Sequence, residues 1–96
     1  MKMIIIVYNE AVDEEVLGLL RACNQAEYTK WTKVMGRGKH SEPHLLTHVW
    51  PKANNVLMAC VEDGTASTLL EGVRKLRQTA GKEGVKAFVL PVEAVS

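Results

Sequence analysis

Two stretches of the chain are apolar at nearly every position. Lys2 to Tyr8 (KMIIIVY) and Val56 to Val61 (VLMACV) run without a polar interruption and are rich in β-branched residues. That is the pattern of central strands covered on both faces. Two other stretches are apolar on one side only. Val16, Leu19, Leu20 and Cys23 recur at i, i+3, i+4 and i+7, and Leu69, Leu70, Val73 and Leu76 share one side of a second segment, Thr65 to Gln78. Each makes the buried stripe of an amphipathic helix. Asp13-Glu14-Glu15 opens the first helix. Asp13 is expected to cap its free N–H groups, the acids complement the helix dipole, and Arg21 suits the last turn. In the second helix Glu71 and Lys75 are spaced to pair, and Gly81 is placed to stop it.

The remaining segments are less apolar. Glu27 to Met35 (EYTKWTKVM) has polar residues on both faces, as in an edge strand or one arm of a hairpin. Gly36 to His44 contains two glycines and a proline and is irregular. Asn54-Asn55 reads as a turn. Val85 to Val92 (VKAFVLPV) is a last strand whose Pro91 marks an edge or a bend. The order is β-α-β-β-α-β, the split βαβ arrangement, with right-handed crossovers. The predicted fold is α+β: a four-stranded antiparallel sheet, the two greasy strands in its middle, both helices on one face. The other face is left bare although those strands are apolar throughout, so a second subunit is expected to cover it.

Ninety-six residues fit one domain spanning 1–96. Apolar residues make up 47% and charged residues 24%, a globular composition. Twelve basic and eleven acidic side chains leave a net charge of +1, which gives no field for nucleic acid or a membrane surface. The longest apolar run, Met3 to Tyr8, has six residues, against the roughly 20 that a membrane span needs. It meets Asn9-Glu10 with no cleavage-like site, so neither a signal peptide nor membrane insertion is expected, and the cytoplasm is the default compartment. Cys23 and Cys60 stand 37 positions apart with no CxxC, which excludes a zinc ribbon and reads as two small buried hydrophobes.

Candidate chemistry gathers between the second and third strands. His40, His44 and His48 are all the histidines, spaced by four. Imidazoles are common ligands for divalent transition metals, and Glu42 offers an oxygen. Pro43 discourages a helix that would align them, and in extended chain they lie ~13 Å apart. A site would need a turn or a second subunit; otherwise they are solvated loop residues. Gly36-Arg37-Gly38-Lys39 suits an anion nest, which Lys82 and Lys86 could extend to a phosphate site; the plainer reading is an exposed turn. Tyr28, Trp31 and Trp50 flank the loop as hairpin or subunit contacts, or as stacking platforms for a purine. No catalytic set is present: the segment after the first strand is acidic, and Glu14-Glu15 lie on a helix surface.

The start MKMIIIV with DEEV, the turn VMGRGK, the segment WPKANNVLMACVED and the end TAGKEGVKAFVLPVE resemble the PII signal-transduction family over nearly the whole chain. The resemblance implies a ferredoxin-like fold and a homotrimer whose sheets face inward. It implies a regulatory protein, not an enzyme, with an adenine nucleotide (ATP, ADP or AMP) bound between subunits and a mobile effector loop, here 36–48, that docks on a partner such as a membrane transporter. Gly36 and Arg37 match the turn at the base of that loop. Thr79 matches the threonine opening the phosphate-binding loop, Lys86 the lysine after it, and Phe88 the aromatic in the strand behind. Gly36, Arg37, Gly38, Thr79 and Lys86 make the expected nucleotide site.

The departures carry implications too. Ala80, Glu83 and Val85 stand at the family's loop glycines, while Gly81 and Gly84 are this chain's own. Gly38 replaces a glutamine associated with 2-oxoglutarate and magnesium, and the loop has no tyrosine. Sensing of 2-oxoglutarate and uridylylation are therefore expected to be absent. Two alternatives stand beside this reading. One is a metal-binding module like the CutA divalent-cation tolerance family, using His40, His44 and His48. The other is a small enzyme of the same fold with a deep apolar pocket.

Overall fold

The computed structural model describes residues 1–37, 53–80 and 84–96. The order is β1 (Lys2–Asn9), a 3-10 turn (Glu10–Val12), α1 (Asp13–Ala22), β2 (Thr29–Val34), β3 (Asn54–Val61), α2 (Asp63–Thr79) and β4 (Val85–Pro91). The sheet runs β2-β3-β1-β4, with every neighbouring pair antiparallel. The split βαβ expectation is therefore met, and the two apolar strands are the central pair.

Alternation along the strands decides what is covered. Ile4, Ile6 and Tyr8 of β1 and Leu57, Ala59 and Val61 of β3 point to the helices and are buried. They meet Val16 and Leu20 of α1 and Ala66, Leu69 and Val73 of α2 in one core. Truncating a residue such as Leu57 or Leu69 to alanine in such a core costs about 2–5 kcal/mol. The helices approach closely where α2 carries Gly72: a Cβ there would lie 2.8 Å from Cδ2 of Leu19.

The other face carries Met3, Ile5, Val7, Val56, Met58 and Cys60, all of them only partly buried and none of them part of the core. Strand register extends it across the sheet. Met58, Ile5 and Phe88 stand in one row, and Trp31, Val56, Val7 and Lys86 in the next. Trp31, Phe88 and Leu90 keep 48%, 46% and 44% of their surface in solvent, so among the described residues nothing fully covers this apolar face.

Three local expectations are corrected. Asp13 does not cap α1: the position before the helix is Val12, and Asn9 instead caps the 3-10 turn by accepting from the Ala11 amide at 2.9 Å. The extra turn shifts Asp13 inward, where its carboxylate meets other donors. Asn54-Asn55 is not a turn but the start of β3, because β1 runs on to Asn9 and pairs with Asn54. Glu71 pairs with Arg74 at 3.3 Å, not with Lys75. Positions three apart on a helix are also neighbours, and this exposed pair is worth little. The expected helix stop at Gly81 lies outside the described residues.

Candidate functional site

The sheet end formed by the close of β1 and β2 and the start of β3 and β4 holds two groups of the expected site residues. The first lies just past β2. An extra residue breaks the β2–β3 register between Trp31 and Val34, and Lys33 takes a left-handed φ of 56°. Such a bulge bends an edge strand and re-aims the residues beyond it. Gly36 is the first of these to carry a constraint: it packs so tightly on β3 that a Cβ would sit 3.0 Å from Nδ2 of Asn54. Glycine is needed here for space. Arg37 comes next with its side chain exposed. Gly38, the third member of the expected nest, lies outside the described residues.

The second group surrounds the α2–β4 connection. Thr79 is the last residue of α2, and its hydroxyl donates back to the Leu76 carbonyl at 3.1 Å. Arg77 donates from Nε to the Val85 carbonyl at 3.1 Å, tying the helix end to the strand start. The Asn9 amide donates to the Gly84 carbonyl at 2.9 Å, fixing the same corner to β1. Beyond it, exposed Lys86 lies on the open face with its Nζ 5.5 Å from the centre of the Phe88 ring. That contact steers the ammonium along the sheet surface.

The two groups do not converge within one chain. Arg37 follows the β2 edge and Lys86 lies on the β4 edge, with β3 and β1 between. Three strand spacings of about 4.8 Å separate the edges by roughly 14 Å. Lys82 and Glu83 lie outside the described residues, as do His40, His44, His48 and Trp50. Among the described residues no three His, Cys, Asp or Glu side chains cluster to hold a metal. No helix among them is long and apolar enough to cross a membrane.

A third cluster was not anticipated. The Asp13 carboxylate accepts from the Tyr8 hydroxyl at 2.6 Å, from Nδ2 of Asn55 at 3.2 Å, and from Nζ of Lys30 at 3.3 Å and 3.2 Å on its two oxygens. One side chain thus joins α1, β1, β2 and β3. Burial alone would raise the Asp13 carboxyl, but the bonds from Tyr8, Lys30 and Asn55 and the Lys30 charge outweigh it and hold it below its ordinary value. Burial, followed by the bond to Asp13 and its negative charge, pushes the Tyr8 phenol well above the usual tyrosine range. Because a carboxylate only accepts, Asn55 must turn its NH2 toward it. Its Oδ1 is then buried without a partner among the described residues, which costs about 1–3 kcal/mol. Sequence held one signal: a tyrosine closing an otherwise apolar, fully covered strand must find a partner for its hydroxyl.

No curated protein matches the chain. Solved structures do. CPII, a nitrogen regulatory PII-like protein of Thiomonas intermedia K12 bound to ADP, AMP and bicarbonate, superposes with a TM-score of 0.73 at 21% identity, over 99% of this chain and 92% of that one. The same protein bound to ADP and bicarbonate gives 0.69 at 25% identity, over 97% and 88%. A chain of Thermus thermophilus described as a PII-like signalling protein gives 0.62 at 20% identity, over 93% and 83%. These matches bear out the ferredoxin-like fold, and none of them lends support to a metal. The sequence profile described as nitrogen regulatory protein P-II matches residues 1–96, and the chain therefore belongs to the P-II family of regulatory proteins.

Proposed function

We propose that this chain is a regulatory sensor that assembles as a trimer, takes up an adenine nucleotide at the clefts between subunits, and passes the occupancy of those clefts to a partner through the 36–48 loop. The observation that carries this reading is the placement of Arg37 and Lys86 at opposite edges of one sheet, beside an uncovered apolar face. Packing the bare faces of several copies together removes that surface from water, at about 25 cal/mol per Å2. In a closed ring the β2 edge of one copy stands beside the β4 edge of the next, and the two cations then face a common cleft. Two cations and the Gly36 turn suit the phosphates of a nucleotide.

The structurally similar CPII is bound to ADP, AMP and bicarbonate, which supports ADP and AMP as ligands to try first, with bicarbonate as a second ligand. Phosphate bound next to Arg37 would alter the base of the loop, and that is the route from ligand to partner. A membrane transporter is the partner class this reading favours. The test is calorimetry with ATP, ADP and AMP, each with and without bicarbonate, on the wild type and on Arg37→Ala and Lys86→Ala. Binding by at least one nucleotide, weakened about tenfold or more in each variant, is expected. Absence of binding by all three, in both conditions, overturns the ligand assignment.

A further inference from the structure

We infer that the Lys30–Asp13 contact is a register pin: it fixes which way the edge strand β2 is laid on the sheet and so presents the Gly36–Arg37 turn at the right place. The consequence for ligand rests on the nucleotide reading above; the pin does not. Register is normally set by a hydrophobic face, and a slip of one residue turns every side chain to the opposite side. β2 has no such face. Its sequence, TKWTKV, is polar on both sides, and only Lys30 and Val34 are even half-buried. Among the described residues it also has a single strand neighbour, β3.

What the strand does have is Lys30, opposite Leu57 on the side facing the helices. Its Nζ lies 3.2 Å from Oδ2 and 3.3 Å from Oδ1 of Asp13, in a site that leaves only 25% of each side chain exposed. Among the described residues it is the only side chain of β2 hydrogen-bonded to another element. A shift of one residue would put Trp31 or Thr29 against the helices and carry the ammonium away from its carboxylate. It would also move the downstream turn by about 3.3 Å, enough to take Arg37 out of reach of a phosphate. Asp13 is itself held by Tyr8 and Asn55 from the two central strands. The anchor is therefore rigid and the strand is the part that is free to slip. In this account Lys30 and Asp13 are positioning residues, with no contact to ligand.

The experiment is peptide-level hydrogen exchange on the full chain for the wild type, Lys30→Met and Lys30→Arg, followed by ADP titration of the same three proteins. Lys30→Met keeps the aliphatic stem and leaves the Tyr8–Asp13–Asn55 contacts in place, so the fold is retained. Exchange across 29–34 is expected to rise about tenfold while β1 and α1 are unchanged, and Lys30→Arg is expected to restore protection, because a guanidinium also serves the carboxylate. ADP affinity is expected to fall in Lys30→Met and return in Lys30→Arg. Unchanged exchange in β2, or an equal rise everywhere, overturns the pin. Selective loosening of β2 with ADP affinity intact overturns its effect on the turn. If the wild type takes up no ADP, the nucleotide reading falls and exchange alone decides the pin.

Discussion

The Tyr8 hydroxyl donates to Oδ1 of Asp13 at 2.6 Å, linking the last core position of β1 to the first residue of α1. Tyr8 is 1% exposed, and its acceptor is charged. Hydrogen bonds to charged groups contribute about 1.5–3 kcal/mol. Tyr8→Phe keeps the ring and removes only the donor, so a loss of that size is expected in urea unfolding. A loss under about 0.5 kcal/mol would show that Lys30 and Asn55 satisfy the carboxylate without it.

The same pair predicts opposite behaviour at the two ends of the pH scale. Asp13 is held below its ordinary 3.8, so the folded state releases this proton more readily than the unfolded chain does. Its contribution is fully present above that value and is lost as pH falls through the lower, folded one. Tyr8 is raised above its ordinary 10.0, so its contribution is fully present below 10.0 and is lost as pH climbs beyond it. The stability gap between wild type and Asp13→Asn should therefore hold steady from neutrality down to about pH 5 and close in stronger acid. The gap to Tyr8→Phe should close in base. Unfolding curves across pH check both, and a gap to Asp13→Asn that widened in acid would reverse the assignment.

At Gly36, space is the constraint. A Cβ would lie 3.0 Å from Nδ2 of Asn54, closer than an unstrained contact allows. The obstructing atom ends a side chain that can shift, so Gly36→Ala is expected to cost no more than about 1 kcal/mol of stability. Its larger effect should fall on nucleotide affinity, because the turn must lift away from β3. Asn54→Ala removes the obstruction, and the double variant is expected to recover affinity that Gly36→Ala loses. Additive losses in the double-mutant cycle would place the cause elsewhere.

How much of this is legible in the sequence depends on how local each determinant is. β1 and β3 announce themselves because six or more adjacent apolar residues leave no other reading, and the two helices because their stripes repeat over two turns. The bare face follows from the same residues. Asp13 misleads: its position before Glu14-Glu15 suits a cap, but its role is set by Lys30 and Asn55, which are 17 and 42 positions away. Asn55 misleads for the same reason, since only the pairing of Tyr8 with Asn55 explains an amide inside a strand. Of the residues proposed to hold a nucleotide, Arg37 and Lys86 are selected by resemblance, and their separation on opposite edges emerges only once the strand order is known.

The bare face makes a prediction through Ile5, which stands between Met58 and Phe88 in one row of the sheet. Its neighbour Ile6 points into the core and is fully buried. Ile5→Glu puts a charge in the middle of the proposed subunit contact and leaves the core intact. Light scattering is expected to show a shift from trimer to monomer, with helical circular dichroism retained. Ile6→Glu places an unpaired charge inside the core and should unfold the chain instead. A wild type that scatters as a folded monomer at micromolar concentration would end the trimer proposal.

The sharpest test of a shared cleft is complementation. Arg37→Ala lacks the cation at the β2 edge, and Lys86→Ala lacks the one at the β4 edge. Each alone is expected to bind nucleotide about tenfold or more weakly at every cleft. Co-expressed or refolded together in equal amounts, the two assort at random around the ring. A cleft is intact when the Lys86→Ala subunit supplies its Arg37 and the adjoining Arg37→Ala subunit supplies its Lys86. That happens at about one cleft in four when the interface is head-to-tail. Calorimetry of the mixture should thus recover about a quarter of the wild-type sites at wild-type affinity, while the two proteins kept apart recover none. If both cations served one phosphate from within a single chain, every cleft would remain defective and mixing would restore nothing.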